Sequence, residues 1–121
     1  NNPDEIVKYL EGMVRAADVF ANDDQTYYDA MYRWQSEYSE VTEEVAETSA
    51  AIRKMYDLDG MTQWHETDEN GNSKLSDAMY TIADFMVENG LIEASDKEAL
   101  IENGFVDTSY MLQAIENVKN S

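Results

Sequence analysis

Apolar side chains recur every three or four residues along most of this 121-residue chain. Such spacing places them on one face of an α-helix, whereas a half-buried strand would alternate apolar and polar residues. The chain has a single proline, Pro3, and few runs of β-branched residues, so little in it interrupts a helix. The spacing therefore predicts an all-α fold of about six helices and no strand.

Four long helices are expected, with approximate bounds at residues 3–22, 24–38, 42–56 and 74–89. Asn2 and Thr42 are expected to cap the first and third, and Ser73 opens the fourth. Between residues 58 and 72 the spacing breaks up around two expected turn pairs, Asp59-Gly60 and Asn70-Gly71, and this stretch is expected to be irregular. The four long helices account for most of the chain.

Two short helices complete the count. The fourth long helix is expected to stop at Gly90, since glycine adopts the left-handed conformation that closes many helices. A capping box formed by Ser95 and Glu98 predicts a short helix after it. Asp107 or Thr108 is expected to cap the last helix.

The helical spacing also predicts which side chains face inward. In the fourth long helix the inward residues are expected to be Leu75, Met79, Ile82, Phe85 and Met86. In the third, an apolar stripe is formed by Val45, Thr48, Ile52 and Met55, and a smooth flank for close packing by Ala46, Ala50 and Ala51. Residues 1–121 are expected to form a single helical domain or a fragment of one.

The charge of the chain excludes several classes of function. The 26 acidic and 8 basic residues give a formal charge of −18, and the charge is spread evenly along the chain. A polyanion gains no counterion-release energy on DNA or RNA and is repelled by anionic lipid surfaces. Roles in nucleic-acid or membrane-surface binding are therefore not expected.

Few residues offer chemistry. The chain has no cysteine and one histidine, His65, so a transition-metal site would need carboxylates supplied by the fold. Residues 66–77 resemble a calcium loop in spacing but lack its bidentate glutamate, and a solvated turn fits them better. The sequence predicts no catalytic residue, no metal site and no cofactor, and the chain is not expected to be an enzyme.

The second helix is unusually aromatic. An apolar stripe at three- and four-residue spacings is formed by Tyr27, Met31, Trp34 and Tyr38, and it is widened by Tyr28 and Tyr32. Aromatic stripes of this kind belong to a core or an interface more often than to a ligand site. Self-association through Tyr27, Met31, Trp34 and Tyr38 is expected, and a ridge formed by Met79, Phe85 and Met86 is a second candidate.

Five segments carry a resemblance to a known family. The stretch 84–92, with the sequence DFMVENGLI, is followed by a short helix and then by VDTSYM at 106–111. This order resembles the carboxy-terminal end of the nitrate/sulfonate/taurine-type substrate-binding proteins of ABC transporters. The start NPDEIV at 2–7 and the segments 42–46 and 55–58 resemble other helices of the same family. Relatives often have a lysine-proline step where this chain has Glu93-Ala94, and the 68–72 turn resembles an insertion.

The resemblance implies a function outside the cytoplasm. Proteins of this family have two α/β lobes with the solute between them, in a type II periplasmic-binding-protein-like fold, and this chain is similar only to their helical end. It implies a portion of a receptor that captures a small-molecule solute and delivers it to an ABC transporter permease. No ligand-binding residue can be transferred, because most would lie in the lobes upstream. The nature of the solute is not implied.

Two alternatives remain open. The chain could be a free-standing acidic helical protein-interaction module whose aromatic second helix docks a partner. It could also be a subunit of an enzyme whose site is completed elsewhere. Two βα-rich lobes encoded upstream would distinguish the receptor from both.

Overall fold

The computed structural model describes residues 2–121, and within that range the chain is helical without a strand. The helices are α1 (Pro3–Asn22), α2 (Asp24–Tyr38), α3 (Glu43–Ile52), α4 (Leu58–His65), α5 (Lys74–Glu88), α6 (Ala94–Glu102) and α7 (Ser109–Lys119). The predicted all-α class is confirmed, but the described residues form seven helices rather than six. None of these helices combines the length and apolar character needed to cross a bilayer.

The additional helix is α4, which lies in the stretch expected to be irregular. Asp57 caps it, with its Oδ1 accepting a hydrogen bond from the Gly60 amide at 2.8 Å. The Leu58 amide donates to Asp18 Oδ1 on α1 at 3.0 Å, which fixes the start of α4 against a distant helix. A Cβ on Gly60 would lie 3.0 Å from the Tyr56 ring. This glycine therefore permits a close approach inside a helix, and its interpretation as a turn residue is wrong.

Most helix ends follow local sequence signals. Ser73 caps α5 in a capping box with Ser76, and α5 is closed by Gly90 at φ 67° with the Leu91 amide donating to the Met86 carbonyl. Both predictions are confirmed. The expected Ser95–Glu98 box is wrong, because α6 begins after Glu93, whose amide donates to Asp96 Oδ2.

Two other ends differ from their predictions in detail. Asn2 stands at the N-cap of α1 without a side-chain capping bond. The third helix ends at Ile52 rather than near residue 56, and residues 54–57 are not helical. Thr108 occupies the N-cap of α7, as expected, while Asp107 Oδ1 accepts from the Ser109 amide at 2.9 Å.

The helices pack in single file. Through residues 2–121 the spatial order of the helices is α3, α2, α1, α7, α4, α5 and α6. Each helix packs on its neighbours in that order, and one further pair of helices makes a marginal contact. The first and last helices of the sequence, α1 and α7, form the most extensive pair. In a closed bundle the two ends of the file would also meet, so that every helix had at least two neighbours.

The core lies where α1, α4 and α7 meet. Its fully buried members are Val14, Met61, Ala114 and Ile115. Partly buried apolar residues around it are Val7, Leu10, Ala17, Leu58, Met111 and Val118. Polar contacts join the same three helices at the edge, since Asn117 Nδ2 donates to Glu11 Oε1 at 2.7 Å and Lys119 Nζ donates to Thr62 Oγ1 at 2.9 Å.

The single-file arrangement leaves much surface open. The accessible surface is 8820 Å², whereas a compact monomer of this mass is expected to expose about 6,600 Å². The excess explains why large apolar side chains on nearly every helix remain outside the core. Where a residue predicted to face inward is one of these exposed side chains, the prediction is wrong.

Helices α5 and α3 illustrate the difference. In α5, Ile82 and Phe85 are 53% and 60% exposed, while Ala83 and Ser76 are buried. In α3, the residue that packs on α2 is Ala46, which is completely buried. Val45 and Ile52 are 52% and 75% exposed, and Met55 beyond the helix is also exposed. The small residues therefore face the neighbouring helix, and the large apolar ones face outward.

Core packing can be tested with two valines on the same helix. We expect Val14→Ala to lower the free energy of unfolding by about 2 kcal/mol, because it leaves a cavity among α1, α4 and α7. Val19→Ala is the control, since Val19 is 50% exposed and its truncation should cost under ~0.5 kcal/mol. Urea denaturation followed by circular dichroism measures both. Equal losses would contradict the position of the core.

Replacement by alanine should change the stability of the protein in opposite directions at two glycines. Gly12 lies within α1, and a Cβ there meets nothing within 4 Å, so Gly12→Ala should stabilise the protein by about 0.5–1 kcal/mol. Gly90 has φ 67°, and Gly90→Ala should destabilise it by about 1–2 kcal/mol. Thermal and urea unfolding measure the pair. The same sign for both would contradict the helix bounds.

Candidate functional site

The larger open groove lies between α3 and the corner where α1 meets α2. It has a volume of about 800 Å³. The corner is built by Asp23, which caps α2 by accepting from the Thr26 amide at 3.0 Å. The rings of Phe20 and Tyr27 lie 5.4 Å apart and fix the angle between the two helices. The groove is lined by Phe20, Ala21, Asp24, Gln25, Tyr27, Tyr28, Glu43, Glu47, Ala50, Ala51, Arg53, Lys54 and Met55.

Tyr28 is one of three aromatic residues that line this groove. Its ring stacks on Tyr32 at a centroid distance of 6.2 Å and an interplanar angle of 12°. Partial burial raises the pKa of the Tyr28 hydroxyl, and the carboxylates of Glu43 and Glu47 raise it further. A raised pKa favours the protonated hydroxyl, which can donate a hydrogen bond.

The α3 side of the groove carries both signs of charge. Glu43, Glu47 and Ala50 follow one another at spacings of four and three residues, so they form one line along α3. Lys54 lies beyond the end of the helix and also lines the groove. Glu43 lies in the first turn of α3, where a carboxylate also favours the helix dipole. The spacing of Glu43, Glu47 and Ala50 was the available sequence signal for this wall of the groove.

His65 is used within its own helix. Its Nδ1–H donates to the Met61 carbonyl at 2.7 Å, which places the ring against the last turn of α4. Through residues 2–121 no three histidine or carboxylate side chains come together in a way that could hold a metal ion.

The acidic loop after α4 closes on itself. Asp68 Oδ1 accepts from the amides of Asn70 and Asn72 at 2.8 and 2.9 Å, and the Gly71 amide donates to the Asp68 carbonyl. Gly71 adopts φ 82°, as a tight turn requires. Hydrogen bonds from the backbone amides of Asn72 and Asn70 lower the pKa of Asp68. The carboxylate thus stabilises the turn.

The structure divides the aromatic stripe of α2. Tyr27 is only 7% exposed because it packs at the α1–α2 corner, and Met31 is half-buried. Trp34 and Tyr38 are 55% and 76% exposed, with their ring centroids 6.0 Å apart. Tyr27 is therefore part of the fold, and only the far end of the stripe is open to a partner.

The predicted ridge on α5 is divided in the same way. Phe85 is exposed, whereas Met79 and Met86 are half-buried. The ridge therefore offers one large aromatic side chain and the edges of two methionines. It lies at the opposite end of the single file from α2 and α3.

Comparisons of this chain with protein-family models, with curated proteins and with solved structures found no match.

The acidic loop gives a pH-dependent prediction. Because the pKa of Asp68 is lowered in the folded state, its contribution to stability is present above the unfolded pKa of about 3.9 and is lost as pH falls through the lower folded value. We expect Asp68→Asn to be less stable than the wild type at pH 6, with the difference shrinking below pH 4.

The matched control is Glu69→Gln, which removes one charge from the same loop. Unfolding by urea between pH 2.5 and 7 measures all three proteins. A difference between wild type and Asp68→Asn that is constant across this range would contradict the role assigned to the carboxylate.

Proposed function

We propose that this chain is the helical carboxy-terminal portion of an extracytoplasmic solute-binding protein that delivers a small solute to an ABC transporter permease. The single observation that carries the proposal is the single-file packing of the helices, with a third more surface than a compact monomer exposes. Only α1, α4 and α7 enclose a shared core, and the helices on either side of them have no second layer to pack against. A domain is built from at least two packed layers.

A layer of helices needs a second layer to cover its apolar side. In α/β proteins that second layer is a sheet, and helices lie against its faces. The side chains available for such a contact include Ile82, Phe85 and Leu91, which are 53–64% exposed near the α5–α6 end. An α/β lobe of the same protein would cover them.

The residues that carry the family resemblance have structural roles that agree with the proposal. Gly90 ends α5 in a left-handed conformation, and the Leu91 amide closes the last turn. Asp107 and Thr108 lie at the start of α7, where Asp107 accepts from the Ser109 amide. The order of a long helix, a glycine stop, a short helix and a capped last helix is thus the order that the resemblance implies. This supports the assignment of α5–α7.

The proposed role is binding and delivery, without catalysis by these residues. The charge of −18 disfavours binding of nucleic acid. The solute itself would contact the α/β lobes, since the two described grooves of this chain are open to solvent, whereas a small-molecule site encloses most of its ligand. Localisation outside the cytoplasm is part of the same proposal.

One observation favours a second function. The exposed Trp34 and Tyr38 lie on the α2–α3 pair, which projects from the rest of the file. An acidic helical interaction module would present aromatic residues in this way. The proposal therefore needs an experiment that separates a receptor from a module.

The test begins with the reading frame that encodes this chain, followed upstream. We expect it to encode two α/β lobes, and we expect the complete product to bind one of nitrate, taurine or methanesulfonate in isothermal calorimetry. The 121-residue chain alone is the control and should bind none of the three. Tight binding by the 121 residues, or a complete product without α/β lobes, would contradict the receptor and favour the module.

A further inference from the structure

Helices α2 and α3 form a hairpin that has little contact with the other helices. They are joined by residues 39–42, a connection short enough to require antiparallel neighbours. The hairpin meets the rest of the file where Tyr27 packs on Phe20, and α3 packs on α2 at the end of the file. Beyond that corner, the hairpin is supported only by the contact between its own two helices.

Each helix of the hairpin carries a stripe with coiled-coil spacing. In α2 the stripe has intervals of four, three and four residues, and in α3 it has intervals of three and four. The members are Tyr27, Met31, Trp34 and Tyr38 on α2, and Val45, Thr48 and Ile52 on α3. These intervals are those of the a and d positions in a heptad repeat. A helix with this pattern buries the stripe against another helix.

In the described structure the stripes are not buried in the hairpin. Ala46 is the residue of α3 that packs on α2, and it is fully buried. Val45 and Ile52 lie about 100° and 120° from Ala46 around α3. On α2, Trp34 and Tyr38 lie about 120° and 80°, in the same sense, from Tyr28. Tyr28 faces α3, since it lies near Glu43 and Glu47. Because the two helices run in opposite directions, these offsets bring both stripes to the same side of the hairpin.

We propose that this side of the hairpin binds a second copy of the chain, so that two hairpins form a four-helix bundle. The contact is a two-fold interface in which each copy uses the same surface. Its centre consists of Trp34 and Tyr38 from α2 and of Val45, Thr48 and Ile52 from α3. Tyr27 stays in the α1–α2 corner and takes no part.

The exposed area is sufficient for such an interface. Trp34 and Tyr38 leave roughly 250 Å² uncovered per chain, since an aromatic side chain of this size presents ~150–250 Å² when free. With Val45, Ile52 and the residues around them, two facing copies would remove about 1,000 Å², which is where specific interfaces begin. A contact made by the α3 stripe alone would bury less than this area.

The position of one acid selects the orientation of the two copies. Glu43 and Glu47 line the groove on the other side of the hairpin, whereas Glu44 lies about 40° from Thr48 around α3 and so borders the proposed surface. A parallel contact between two α3 helices would place the two Glu44 carboxylates side by side. An antiparallel contact separates them toward opposite ends of the interface.

The overall charge opposes the same association at long range. Two copies at −18 each repel one another, and this repulsion is screened within ~8 Å at physiological ionic strength. The dimer should therefore tighten when salt is raised, whereas an interface held mainly by ion pairs would weaken.

Sedimentation equilibrium of the 121-residue chain at 5–200 μM tests the proposal. We expect a monomer–dimer equilibrium in 150 mM NaCl whose dissociation constant falls at least threefold in 500 mM NaCl. Trp34→Glu and Ile52→Glu should each raise the dissociation constant at least tenfold. Both residues are more than half exposed, and circular dichroism checks that the variants remain helical.

The matched control is Tyr9→Glu on α1, which places the same charge at a residue that is 70% exposed and outside the hairpin. It should leave the dissociation constant within twofold of the wild type. A monomer at 200 μM in both salt concentrations would overturn the proposal. An equal effect of Tyr9→Glu would overturn the choice of surface.

The orientation has a separate test, which the absence of cysteine makes simple. Thr48 lies near the middle of α3, so in the antiparallel dimer its two copies approach at the two-fold axis. Thr48→Cys should form a covalent dimer on mild oxidation, while Val45→Cys and Ser95→Cys should not. Equal cross-linking at 45 and 48 would indicate parallel helices and overturn the proposed geometry.

The proposal does not depend on the receptor function. A monomeric chain would leave the receptor proposal intact, with the α/β lobes covering the hairpin as well as α5. A dimer formed by a chain whose complete product lacks α/β lobes would leave the hairpin proposal intact. A negative result in either experiment therefore contradicts one proposal and leaves the other intact.

Discussion

The structure depends on the contact between the first and last helices. Val14 of α1 and Ala114 and Ile115 of α7 are nearly inaccessible to solvent, and Met61 of α4 completes the same cluster. The α2–α3 hairpin reaches this cluster only through α1, and α5 and α6 reach it only through α4. Burial at this one junction therefore holds together elements that do not otherwise touch, and the hydrogen bond from the Leu58 amide to Asp18 keeps α4 in place.

The local features of this fold can be predicted from the sequence, because their causes are local. Helical class follows from the apolar spacing, and the ends at Ser73 and Gly90 follow from the chemistry of a capping hydroxyl and of a residue without Cβ. Helix α4 carries one local signal, the cap at Asp57, but its Asp59-Gly60 pair suggests a turn. Its first turn is also held by Asp18, forty residues earlier in the sequence, and Gly60 lies against Tyr56.

The predictions of which helix faces point inward were wrong for a different physical reason. Spacing identifies an apolar side of a helix but does not show what lies opposite it. Where α3 meets α2, close approach of the two backbones selects Ala46, and the larger Val45 and Ile52 remain outside. The groove beside Tyr28 was missed for the same reason, since its two walls come from separate helices. For the aromatic stripe of α2, the sequence correctly indicated an apolar surface. It did not show that Tyr27 is buried whereas Tyr38 is exposed.

The position of a helix along the sequence does not match its position in the single file. The termini of the described chain, α1 and α7, are the spatial centre, whereas α3, from the middle of the sequence, is at one end of the file. Removal of α7 would therefore take away the helix that joins α1 to α4, while a break in residues 39–42 would affect only the periphery of the structure. Folding must likewise bring residues about a hundred positions apart together before the core exists, so its rate is set by closing that long loop.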